Sequence, residues 1–110
     1  MPYDEKLARR VRPLMALRPG FSEKRMFGGI AYFLEGNLCV GVWNNALIVR
    51  VGLKAYHAAL AEPHVTIFGP VKRPMRGWVL VAGEALEEMA SIRAWVERGV
   101  DFVETLPPKD

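Results

Sequence analysis

The chain has 110 residues and a mass of 12.4 kDa, which fits a single domain over 1–110, and its 51% apolar and 25% charged residues exclude a disordered segment. One cysteine, Cys39, excludes an internal disulfide, and no apolar run approaches the roughly 20 residues that span a bilayer. The net charge of +3 is small but unevenly placed: residues 1–26 hold seven Lys/Arg against three acids, and residues 84–110 hold three against seven.

The opening segment, Asp4 to Leu17, places Leu7, Val11, Leu14 and Met15 at helical spacing, with Asp4 and Glu5 suited to a first turn. Pro13 lies inside it, so a kink or break is expected near Arg12, and Arg18-Pro19-Gly20 ends the helix. The charged start, MPYDEKLARR, has no apolar core of the kind a signal peptide needs, so a cytoplasmic protein is expected.

From Phe21 to Val51 the apolar period changes to two, predicting strands. Gly28-Gly29 is read as a bulge or sharp bend leading into the first full strand. It lacks the third glycine of a dinucleotide loop and the Lys-Ser/Thr of a P-loop, and it opens a strand where phosphate binding needs a helix N-terminus. Two tight hairpin turns are predicted, at Gly36-Asn37 and at Asn44-Asn45. They pair Leu34 with Cys39, Phe33 with Val40, and Val42 with Leu47. One face would then collect Ala31, Phe33, Val40, Val42, Leu47, Val49 and Val51. The other would collect Ile30, Tyr32, Leu34, Cys39, Gly41, Trp43 and Ile48, with Arg50 the one charge. Both faces are largely apolar, unlike a sheet solvated on one side, so helices are expected over one face and some other cover over part of the second.

Beyond Gly52, Leu53, Tyr56 and Leu60 form a helical stripe that Pro63 ends. Residues 64–77 read as irregular, GWVLVAG as a strand, and 84–90 as a short turn. A last helix is predicted from Ser91, its N-cap, to Leu106, with Gly99 weakening it by about 1 kcal/mol. The order α-β-β-β-α-β-α with hairpin connections gives an α+β fold: an antiparallel meander of three to five strands flanked by N-terminal, middle and C-terminal helices.

Candidate chemistry is sparse. Cys39 could be a nucleophile with His57 as base, but it sits mid-strand in an apolar run, where a buried thiol is inert. His57 and His64 lack the spacing of metal ligands, and Glu84, Glu87 and Glu88 read as a solvated cluster. No catalytic residue, metal or cofactor is expected. The best interaction segment is Lys72-Arg73-Pro74-Met75-Arg76-Gly77-Trp78, three cations and an aromatic on a proline-stiffened loop. Lys24 and Arg25 would join it if the fold brings them close. Five cations fall short of the roughly six to ten phosphate contacts of a committed DNA binder, so nucleic acid ranks below a protein partner, for which a second copy of the chain is one option.

KRMFGG, YFLEGNLCVGVWNNALIVRVG, AYHAAL, RPMRGWVLV and LPPK together resemble the N-terminal domain of the TfoX/Sxy family, bacterial proteins linked to regulation of natural competence. The resemblance runs over residues 5–109. It implies an α+β domain with helices flanking an antiparallel sheet, and it brings no established catalytic or metal-binding residues. Full-length competence regulators carry a further C-terminal helical domain, so the sequence is expected to be the first module alone. The expected role is a non-enzymatic regulatory module that works through protein contacts.

Overall fold

The computed structural model describes residues 3–26 and 28–109. The elements run α1 (Glu5–Ala16), β1 (Phe21–Met26), β2 (Gly29–Leu34), β3 (Asn37–Trp43), β4 (Ala46–Arg50), α2 (Leu53–Leu60), β5 (Val65–Ile67), β6 (Trp78–Val81) and α3 (Met89–Val103), with a single 3-10 turn at Gly83–Ala85. The six strands form one antiparallel sheet in the order β1-β2-β3-β4-β6-β5. The fold is therefore α+β, with one strand more than the expected maximum. Against the expected order two strands are added: β1, which precedes Gly28-Gly29, and β5, which lies in the stretch read as irregular and pairs with β6 across the long 68–77 loop.

In α1 the Asp4 carboxylate caps the helix by accepting from the Leu7 N–H at 3.1 Å, and Leu7, Ala8, Val11 and Met15 are buried. Of the expected kink or break, the break does not occur: the helix continues through Pro13. Pro13 is on the solvent side, where the Arg9 carbonyl that loses its partner remains open to water. In α2 the buried side chains are Tyr56 and Ala59, while Leu53, expected in the stripe, is exposed. The third helix starts two residues before Ser91, and Glu88 holds the N-cap position without a side-chain bond.

The β2–β3 turn also differs from expectation. Its central residues are Glu35 and Gly36, at φ 51° and 79°, because Leu34 pairs with Asn37. Both values are positive, as a type I′ turn requires. A bulge then shifts the register between Tyr32 and Phe33: Phe33 pairs with Leu38, but Tyr32 pairs with Val40, leaving Cys39 as the extra residue. This one-residue difference exchanges the two faces of β2. Tyr32, Leu34 and Cys39 join Val40, Val42, Leu47, Val49 and Val51 in the helix-covered core, with Ile30 packed against it, while Ala31 and Phe33 turn outward. The β3–β4 pairing, Val42 with Leu47 and Val40 with Val49, is as the turn residues predict.

All three helices pack on that one face. The Tyr32 hydroxyl donates to the Ala8 carbonyl at 3.3 Å, Tyr56 and Ala59 of α2 join the core, and Gly99 brings α3 against Cys39 and Val40. Arg98 makes a two-pronged ion pair with Glu62 at 2.8 and 3.1 Å and lies 3.9 Å over the Trp95 ring. Finally, the chain after α3 crosses the β2–β3 turn. The Asn37 amide donates to the Pro107 carbonyl at 2.9 Å, and the Lys109 N–H donates to the Glu35 carbonyl at 2.7 Å.

Candidate functional site

With the helices on one side, the opposite face of the sheet is left to side chains and the 68–77 loop. Its centre is built from small residues: Ala31 pairs with Gly41, and Gly41 with Ile48. Larger neighbours rise around this centre. Met26 stands on the β1 side, Trp43 at the end of β3, and Phe68, Met75 and Trp78 come from the loop and β6. The result is a cleft of about 200 Å³ in which every lining residue is apolar. Ala31 and Ile48 are buried at its base, while Met75 is 44% and Trp43 37% exposed at its mouth. A second hollow, lined by Trp43, Ile67, Phe68, Gly69 and Leu80, adjoins it across Phe68.

The loop over this face is tied down. Met75 N–H donates to the Phe68 carbonyl at 2.8 Å, Arg73 N–H to Pro70 at 2.9 Å, and the Gly77 carbonyl accepts from both Val51 and Gly52 at 2.9 Å. Gly77 takes φ 90°, which a residue with a side chain adopts only with strain. Trp78 is half-buried, its ring 6.5 Å from that of Phe68, and the Arg50 guanidinium lies 4.9 Å over it and 5.5 Å from the Phe102 ring.

Lys72, Arg73 and Arg76 are exposed on this loop. Lys24 pairs with Ala31 and so lies on the same face of the sheet, two residues from Met26. Arg25 pairs with Ile30 and lies on the opposite side, so Lys24 and Arg25 do not act together. The outward residues of β1 are Ser22, Lys24 and Met26, whereas Glu23 turns the other way and pairs with Arg12 of α1. Between Glu35 and Glu84 the only acid is Glu62, which is held by Arg98 on the helical side. Among the described residues the open face thus carries charge of one sign around an apolar centre.

The glycines and asparagine singled out in the sequence have structural positions. Gly28 lies in the β1–β2 turn at φ 75°, while Gly29 is already in β2, paired with Met26; Phe27 of that motif lies outside the described residues. A Cβ on Gly29 would stand 2.3 Å from the Val42 carbonyl oxygen, so close strand approach demands glycine there. Gly36 is the second turn residue, and Asn37, one position later, starts β3.

Other candidates fall away from this face. Cys39 is buried under α3, and burial pushes its thiol pKa from 9.0 up to about 12. His57 is exposed on α2 with its ring against Tyr56. Glu84 and Glu87 border a polar hollow with Asp4, Lys6 and Arg10 at the N-terminal end of α1. Among the described residues no group of three or more His, Cys, Asp or Glu could hold a metal ion, and no helix is long and apolar enough to cross a membrane. The cleft itself was not found from sequence, because the expected register put Ala31 and Gly41 on opposite faces. The small pair Ala31 and Gly41 would have been a signal only with the bulge at Cys39 known.

No curated protein and no solved structure matches the sequence. A family model does: the TfoX N-terminal domain, over residues 14–103. That span reaches from the last turn of α1 through every strand to the final residue of α3, and the chain belongs to the TfoX N-terminal domain family.

Proposed function

We propose that this domain is a non-enzymatic, cytoplasmic regulatory module that works by docking another protein on the open face of its sheet. The observation that carries the reading is the apolar cleft over Ala31, Gly41 and Ile48, with Trp43 and Met75 partly exposed at its mouth. Apolar patches rimmed by polar residues mark interaction surfaces, and aromatic and methionine side chains are enriched in interface cores. The family's link to competence regulation supplies the regulatory setting. The thiol of Cys39 is buried whereas His57 is exposed, which supports a non-catalytic role.

The test is affinity capture from the native cytoplasm with the wild-type chain and with Trp43→Asp/Met75→Glu, followed by reconstitution from purified components. A reconstituted complex that the double variant fails to form supports the reading. A partner that binds both chains equally removes the open face from it. Nucleic acid is the second reading, favoured by the exposed Lys72, Arg73 and Arg76. It requires an oligonucleotide affinity that falls steeply with salt and disappears in Arg73→Glu/Arg76→Glu.

A further inference from the structure

The cleft and its surrounding charge together narrow what can sit there. Its volume of about 200 Å³ is below the roughly 300–1,000 Å³ of small-molecule sites, so it suits one or two apolar side chains better than a cofactor. Met26 and Met75 stand at its walls, and methionine side chains reshape to fit varied apolar partners. Lys24, Lys72, Arg73 and Arg76 are exposed, and none makes an ion pair among the described residues. No carboxylate accompanies them on the strands' outward side or in the 68–77 loop.

Charge of one sign argues against a second copy docking face to face, because the two-fold would bring the same cations together. Nucleic acid is also a poorer fit. The exposed cations are fewer than the about six to ten phosphate contacts of a committed DNA binder, and the apolar cleft has no polar side chain for base edges. An amphipathic anion of protein origin satisfies both features.

Resting on the reading that the open face docks a protein, we infer that its partner is an acidic amphipathic segment: an apolar side chain enters the cleft between Met26 and Met75, while flanking aspartates or glutamates meet Lys24, Lys72, Arg73 and Arg76. Apolar contact supplies the anchor. Opposite charge supplies selectivity and a faster encounter.

A random peptide library displayed on phage, selected against the full chain, tests this. Synthetic copies of the enriched peptides are then titrated by the emission of Trp43 and Trp78, which line the cleft. The expected result is enrichment of peptides with Asp or Glu around an apolar pair. Their binding should weaken at least tenfold in Arg73→Glu/Arg76→Glu, weaken with added salt, persist in Arg73→Lys/Arg76→Lys, and be lost in Met75→Glu. All these positions are exposed, and circular dichroism of each variant checks that it is folded.

Enrichment of neutral or basic peptides that still require Met75 overturns the acidic inference and leaves the docking reading standing. No enrichment over an unrelated control protein, or binding unaffected by Met75→Glu, removes the docking reading and the inference with it. Two other results would also overturn it: a thymidine oligonucleotide bound where no peptide is, or a dimer in sedimentation that Met75→Glu dissociates.

Discussion

Gly99 of α3 rests directly on Cys39 of β3: a Cβ at Gly99 would lie 3.2 Å from both the Cys39 sulfur and its carbonyl oxygen, and 3.1 Å from Val40 Cγ1. A glycine inside a helix costs about 1 kcal/mol relative to alanine. Here it lets the helix sit closely over the bulge that turns two consecutive side chains toward it. The helix loses some intrinsic stability and the core gains close packing.

Replacing Gly99 with valine is therefore expected to destabilise the domain by about 1–3 kcal/mol, since the added carbons meet backbone that cannot swing away. Urea unfolding measures this. Cys39→Ala in the same chain should recover only part of the loss, because the carbonyl contact remains.

Gly36 carries two demands at once. Its φ of 79° strains any other residue, and a Cβ there would lie 2.0 Å from the Lys109 carbonyl oxygen. Gly36→Ala should cost about 1–3 kcal/mol, of order the strain of a left-handed alanine plus displacement of the tail. Removing residues 106–110 should itself destabilise, by loss of the Pro107 and Lys109 hydrogen bonds, but should make Gly36→Ala less harmful. A double-mutant cycle reads that coupling directly.

Alkaline pH should weaken the fold. Burial raises the Cys39 thiol from 9.0 to about 12 and is the main cause raising the Tyr32 hydroxyl from 10.0 to about 12. Both groups stay protonated in the folded chain after they have ionised in the unfolded one. Their stabilisation is complete below pH 9 and is lost as pH rises toward 12, with a slope of up to about 1.4 kcal/mol per pH unit for each group. Stability measured from pH 8 to 11 should fall less steeply in Cys39→Ala and Tyr32→Phe, each compared with its own value at pH 8. The same burial keeps thiol reagents out, so labelling of Cys39 at pH 8 should proceed at the rate of opening.

Pro13 is the one residue in α1 that works against its helix. Pro13→Ala restores the N–H that bonds the Arg9 carbonyl, on a side that contacts solvent. The expected outcome is stabilisation of about 1–3 kcal/mol, seen as a raised Tm. A fall in Tm would mean that the proline ring packs in a way its exposure does not suggest.

The sequence by itself determined the α+β class, the antiparallel pairing, the positions of the three helices within a few residues, and the register of β3 against β4. Each of these rests on local information: apolar period, turn residues at Asn44-Asn45, and the acids Asp4 and Glu5 suited to a first turn. It also carried the family, through motifs spread along the chain. Only the tertiary structure decided which way β2 faces. The bulge at Cys39 exchanged the two faces of that strand, whereas the turn placed one residue earlier moved each partner by two and kept the faces. The bulge is not visible in alternation alone, because β2 is apolar on both faces. The cleft followed from that exchange, since it needs Ala31 and Gly41 side by side beneath Met75. The basic loop was legible as a run of cations. Its position over the uncovered face was not, because β6 inserts between β4 and β5 and sends residues 68–77 back across the sheet, a long-range pairing that no local pattern encodes.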